Sequence, residues 1–435
     1  MKRRILVGIL PVLLIILLSG CFVLDPDELL TLPKQAEDYY NLQQAIDEVM
    51  KDAEYSAPIS GENRQAVQLK DLDGDGNNEA VLFAKTEGEH PLKIYVFNRV
   101  GAVFSAIACM EGDGINFDTV EFCQIDGQGG LEIVVSRQLN EGVPQTLSVY
   151  ATQDSTVTEL LNISDNRFVV TDFNADGAED IFVLHADAAR QDDFAELYFW
   201  KDNALCCDSL SLPGTVAESA VNLQAGKISG EIPAAFVAGA LDETEQAVYV
   251  FALQQGRLTN LTAEKPLRIP ANWSLMDIDA DGELELPRLR AVSALDSSDD
   301  TNGIKLVCWQ DIDATGTVTD GFVNLHNSAE QWYFTLPDFW QENLLLATRQ
   351  TGDYSCTAIY QKSSAGDPVQ VLALYAYSGE DGAQWATQDG RFLLGSRENT
   401  VYAAKITETP GAESLREDAV MARFHLLPDQ ITVVS

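Results

Sequence analysis

The chain has 435 residues, 67 acids against 28 Lys and Arg, and a formal net charge of −39 at pH 7. Such a surface repels phosphate backbones, which excludes a nucleic-acid partner. A content of 46% hydrophobic and 22% charged residues excludes a disordered chain and leaves room for a large buried core.

In chain order, Lys2, Arg3 and Arg4 precede an apolar run from Ile5 to Leu18. The run is short for a membrane span and leads into small residues, the order of an export signal. Its end, Leu18-Ser19-Gly20-Cys21, resembles the lipobox of bacterial lipoproteins. The resemblance implies cleavage after residue 20, acylation of Cys21, and a membrane partner reached through the lipid. Acyl chains contribute about 0.8 kcal/mol per buried methylene, so Cys21 is expected to hold the chain on the outer, extracellular side of a cell membrane. Residues 22–40 then read as an acidic tether. Leu42, Ile46 and Met50, spaced by four, predict a short helix over 41–51, so that 21–52 forms the anchor, tether and helix.

From Asp71 the chain reads DLDGDGNNE and then turns apolar. The pattern recurs from Gln124 (QIDGQGGLE), Asp172 (DFNADGAED) and Asp277 (DIDADGELE). The spacing is about fifty residues, the last gap spanning about two periods, and such periods mark solenoids, propellers or arrays. Between these loops come alternating strand pairs such as KIYVF with AVFSAIAC, AELYFW with ALCCDSL, and QAVYVFAL with RLTNLT. Each unit carries about four short strands and no helical period, the content of a propeller blade. The segment AGALDETEQAVYVFAL, from Ala238, is read as a further unit that has lost its acids. The fold class is therefore mainly β, a β-propeller of about five to seven four-stranded blades over 53–330. A small C-terminal α+β domain is expected over 331–435, with ESLREDAVMARFHLL (413–427) as a helix.

Alternate residues of a tight loop turn toward one centre, and a glycine permits the bend. Asp71, Asp73, Asp75 and Glu79 take alternate positions around Gly76, and the carbonyl of Asn77 can add an oxygen. Asp172, Asn174, Asp176 and Asp180 repeat the set, as do Asp277, Asp279, Asp281 and Glu285. All-oxygen sets of this size suit calcium. The copy at Gln124 keeps only Asp126 and Glu132 as charged donors and is expected to hold a metal weakly or not at all. DIDATGTVTD, from Asp311, half-matches the loop and reads as a turn.

These loops are similar to those of FG-GAP/VCBS repeats, the blades of integrin-α-like β-propellers, in which D-x-D-x-D-G-x-x-[DE] precedes an apolar strand and calcium is structural. With the LSGC signal, the acidic tether, the Asp277 to Pro287 copy and WYFTLPDFW, the chain resembles FG-GAP-containing lipoproteins of clostridia-type bacteria. The resemblance implies an adhesion or binding module with an extracellular protein or glycan as partner.

No HExxH, G-x-S-x-G or Gly-rich phosphate loop is present, and His90, His185, His326 and His425 have no ligand spacing. A non-enzymatic reading follows. Its rival is an enzyme acting on polysaccharide or cell-wall polymer through two carboxylates on the propeller face. Trp332, Tyr333, Phe334, Phe339 and Trp340 read as core rather than as a sugar platform. Besides Cys21 the cysteines are Cys109, Cys123, Cys206, Cys207, Cys308 and Cys356, expected as buried free thiols.

Overall fold

The computed structural model describes residues 37–427 apart from 101–102, 141–144, 154–155, 166, 186–192, 213–219, 298, 300, 302, 342, 363–365, 380 and 408–414. The signal, Cys21 and most of the tether lie outside the described residues. Helix α1 (Glu37–Val49) begins four residues before the expected start and ends in a 3-10 turn over Met50–Asp52. Its buried stripe is Leu42 and Ile46.

Among the described residues six antiparallel sheets of four or five strands follow, the make-up of propeller blades. The first holds β1 (Ala53–Tyr55), β2 (Val67–Lys70), β3 (Glu79–Thr86), β4 (Leu92–Val100) and β5 (Val103–Gly112), with β1 and β2 both paired to β3. The second is β6 (Asn116–Cys123), β7 (Glu132–Gln138), β8 (Gln145–Gln153) and β9 (Thr156–Asp165). The third is β10 (Arg167–Thr171), β11 (Asp180–His185), β12 (Phe194–Lys201) and β13 (Ala204–Ser211). Asp202 and Asn203, at φ of 52° and 63°, close the β12–β13 hairpin with the left-handed pair that matches strand twist.

The fourth sheet is β14 (Ala220–Ile228), β15 (Ile232–Ala240), β16 (Glu245–Gln254) and β17 (Arg257–Asn260), with β18 (Leu267–Pro270) also on β16. The fifth runs β19 (Leu286–Arg290), β20 (Ile304–Ile312), β21 (Val318–Asn327), β22 (Trp332–Thr335) and, out of order, β28 (Phe424–Leu426). The sixth is β23 (Leu344–Gln350), β24 (Tyr354–Gln361), β25 (Val369–Ser378), β27 (Thr400–Ile406) and β26 (Phe392–Arg397).

Each sheet packs on the next through alternate side chains, as strand geometry requires. Val81 and Phe83 meet Phe117 and Ile133; Val134 and Leu147 meet Ile181 and Val183; Phe182 and Leu197 meet Val237 and Phe251. Phe236 and Val250 then meet Leu286 and Ile312, and Leu306 and Leu325 meet Leu346 and Leu374. Because β3, β7 and β11 are covered on both faces, they are buried almost throughout, with apolar centres Ala80–Ala84, Ile133–Val135 and Ile181–Leu184. The outward face of the first sheet, with Ala80, Leu82, Ala84 and Phe97, is covered by α1. On the sixth sheet, Tyr377 and Ala403 pack on Ala386, just past the one-turn helix α2 (Gly382–Trp385), with Trp385 against the same cluster.

Three expectations need correction. The boundary expected between 330 and 331 falls inside the fifth sheet, because Trp332–Thr335 pair with Asn324–Asn327. The helix expected over 413–427 is, among its described residues, only α3 (Glu417–Met421). Its apolar end becomes β28, whose edge hydrogen bonds to β22 outweigh helix propensity. The unit at Ala238 is found as a turn feeding β16, which pairs with β17 as expected, but the turn joins β15 to β16, one strand later than the acidic loops, and there Leu241 and Asp242 donate to the Glu245 carbonyl. In the fourth sheet the step that corresponds to β2–β3, β6–β7 and β10–β11, where the acidic loops sit in the first three sheets, is the short turn Ser229–Glu231 between β14 and β15.

Asp313–Thr317 closes the β20–β21 hairpin, as expected for DIDATG. Trp332, Tyr333, Phe334 and Trp340 are buried and belong to the core, whereas Phe339 is exposed. The six described cysteines are free. Contrary to the expectation of burial, only Cys123 and Cys308 are buried: Cys206 and Cys356 are half-buried and Cys109 and Cys207 reach the surface, on strands β5 and β13 that present one face outward.

Candidate metal centre

Four loops share one backbone. At the fourth position stand Gly74, Gly127, Ala175 and Ala280, and at the sixth Gly76, Gly129, Gly177 and Gly282; all eight have φ between 57° and 93°. The sixth is glycine each time because a Cβ is strained there.

The first residue of the loop ties both bends. Asp71 Oδ2, Asp172 Oδ2 and Asp277 Oδ2 accept the sixth-position N–H at 3.0, 2.9 and 3.0 Å. Asp71 Oδ1 also accepts Gly74 N, and Asp172 Oδ1 and Asp277 Oδ1 accept the N–H groups of Asp176 and Asp281. The third residue, Asp73, Asn174 or Asp279, accepts from the fifth. The fifth, Asp75, Asp176 or Asp281, accepts from the seventh, which is Asn77, Ala178 or Glu283. Asn77 Nδ2 bonds Asp75 Oδ1 as well.

The ninth residue opens the next strand or, in the fifth sheet, stands just before it, and points back into the loop. Glu79, Glu132, Asp180 and Glu285 accept the N–H of Leu72, Ile125, Phe173 and Ile278 at 2.8, 2.6, 2.9 and 3.0 Å. All four are buried, at 0 to 2% exposure. Burial pushes the Glu285 carboxyl up to about 8 and those of Asp180 and Glu132 up to about 7. Burial, reinforced by Asp73 and Asp75, also raises Glu79.

Asp71, Asp73 and Glu79 bring carboxylate oxygens within 4.8 Å of one another, and so do Asp277, Asp279 and Glu285. Each group can hold a metal ion. Two ionised carboxylates at that separation repel by about 1 to 3 kcal/mol, depending on local polarity, which a cation reverses. Glu79 adds a sharper indication: its Oε1 is buried without a hydrogen-bond partner, a state that costs free energy unless a cation meets it. At the third loop Asn174 turns its amide toward Asp180, Nδ2 to Oδ1 at 3.4 Å, and no three-acid group forms among the described residues. Asp75, Asp176 and Asp281 stand on the loops but outside the converging groups, their Oδ1 atoms bonded to backbone N–H. Cys21 lies outside the described residues.

The copy at Gln124 clarifies what builds the loop. Gln124 Oε1 accepts Gly127 N at 2.6 Å, taking the role of the first-position acid without its charge. The loop geometry is therefore made by hydrogen bonds, and the charge is an addition. Asp311, which the sequence reading assigned to a turn, stands on β20 beside the last loop, where burial and the charges of Glu283, Asp279 and Asp281 raise its carboxyl. Its half-matching motif gave no sign of this, since the proximity arises from sheet packing.

No family model matches the chain, and no curated protein matches it. Among solved structures it is similar to the exotype rhamnogalacturonan lyase YesX, at 11% identity over 74% of this chain and 82% of that one, with a TM-score of 0.29. It is also similar to the rhamnogalacturonan lyase PL11 of Bacillus licheniformis, at 11% identity over 79% and 91%, TM-score 0.29. The lyase YesW gives 10% identity over 81% and 91%, again at 0.29. A TM-score that low bears on neither fold nor chemistry.

Proposed function

We propose that the chain is a lipid-anchored extracellular binding or adhesion module whose blades are rigidified by calcium, taking a protein or glycan as partner and carrying out no reaction. The observation that carries the calcium reading is Glu79: a fully buried carboxylate with an unpartnered oxygen, converging with Asp71 and Asp73. The donors are hard oxygens without sulfur or imidazole, which suits calcium rather than zinc or copper. Asp277, Asp279 and Glu285 would hold a second ion, and Asp172, Asn174, Asp176 and Asp180 a third with one neutral donor. Likeness to FG-GAP/VCBS loops supports the same assignment. The ninth-position acids are committed to backbone N–H groups, which favours a structural over a catalytic role.

The test is thermal unfolding with calcium or magnesium added. Millimolar calcium is expected to raise the midpoint, since extracellular calcium modules dissociate at about 10⁻⁴–10⁻³ M. Magnesium is expected to do less, and Asp277→Ala to remove about 1–3 kcal/mol of the gain. An unchanged midpoint would sink the calcium reading. For the anchor, Cys21→Ser is expected to move the chain from the membrane fraction to the soluble one; unchanged partitioning would count against lipidation.

A further inference from the structure

Arg137, near the end of β7, is 4% exposed. Its Nη2 donates to Ser148 Oγ at 2.6 Å, while Nε has no hydrogen-bond partner. Among the described residues no carboxylate pairs with it. That is unexpected in a chain with 67 acids and 28 Lys and Arg, because a buried charge is costly unless matched.

The guanidinium borders a cleft of about 410 Å³ between the first two sheets, shared with His90, Glu111, Asp113, Thr146 and Ser164. The two acids there already have partners. Asp113 Oδ1 lies 2.6 Å from His90 Nδ1, and Glu111 Oε1 lies 2.6 Å from Lys93 Nζ, which holds the Glu111 carboxyl below its usual range. Position 112 accommodates Arg137 in particular: a Cβ on Gly112 would fall 1.7 Å from Nη1. Arg137, Thr146 and Ser164 form one row across β7, β8 and β9, so two hydroxyls stand on the same face as the cation.

We propose that this cleft binds the carboxylate of a small organic anion, with Arg137 as its charge partner and Thr146 and Ser164 as hydroxyl donors. A planar guanidinium matches a planar carboxylate. A single unmatched cation beside two acids favours a monoanion over doubly charged sulfate or phosphate. The cleft size falls within the range of small-molecule sites. It lies toward the opposite end of β7 from Glu132 and does not depend on calcium.

The probe is sodium acetate, titrated during thermal unfolding of the chain at fixed calcium, with ionic strength held by sodium chloride and sodium sulfate as a second arm. Acetate is expected to raise the midpoint saturably by roughly 2 °C or more. Arg137→Met is expected to abolish that rise, and in acetate-free buffer to unfold at or above the parent midpoint, its unmatched charge being gone. Equal acetate responses in parent and variant, or a larger response to sulfate than to acetate, would overturn the proposal. Should Arg137→Met not fold, Thr146→Val reads the same site: a several-fold rise in the half-saturating acetate concentration supports it, and no change overturns it.

Discussion

Glu132 has the same place and backbone bond as Glu79, Asp180 and Glu285, but in its loop Asp126 is the only other acid. Its carboxyl, pushed up to about 7 by burial, therefore makes a clean pH probe. A folded-state value above the unfolded one of about 4.3 means that the fold prefers the protonated form. The contribution is fully present below about pH 4.3 and is lost as pH rises to about 7. Glu132→Gln keeps an acceptor for Ile125 N and cannot ionise. Between pH 4.5 and 7.5 its stability is expected to decline less than the parent's, by about 2–3 kcal/mol. Parallel urea-derived stability curves for the two proteins across that range would disprove the assignment.

At the scale of the element, neighbouring loops fit by contact between backbones. A Cβ on Gly130 would meet the Leu72 carbonyl oxygen at 2.4 Å, so Gly130→Ala must push the first two loops apart. A loss of about 1–3 kcal/mol is expected, read as a lower urea midpoint; an unchanged midpoint would show that the contact is loose. How much of this was legible in the sequence depends on range. The acidic loops and hairpins were readable because their signals are local: glycine at a left-handed bend, acids at alternate positions, apolar runs after them. The missing loop of the fourth sheet was not, because a turn of Ser229–Glu231 carries no motif and the acidic Leu241–Thr244 turn offers a better match one strand later. The end of the chain was misread for the opposite reason: Phe424–Leu426 are strand only because β22 supplies an edge. Arg137 is invisible in the sequence, since only packing reveals that it has no acid beside it.

At the scale of the molecule, six sheets stack in chain order, each core shared with the next. The loops of the first three meet in series. Gly130 touches the first loop at Leu72, while Gln124 N donates to Glu179 Oε2 and Glu179 N to the Gln124 carbonyl, both at 2.7 Å. The second loop, which keeps only Asp126 and Glu132 of the acids, thus stands between two loops proposed to take calcium. Its contacts place it as a relay: a shift of the Asp71 loop on ion binding would be met at Gly130, and one of the Asp172 loop at Gln124. Linkage makes such influence reciprocal. Asp172→Ala is expected to weaken calcium at the Asp71 loop by about fivefold, although the two loops share no ligand. Calorimetric titration showing unaltered remaining affinity would mean that the loops bind independently. With glutamine at two of the acidic positions, the second loop is suited to a task the others cannot perform, that of carrying news of occupancy from one neighbour to the other while competing little for the ion.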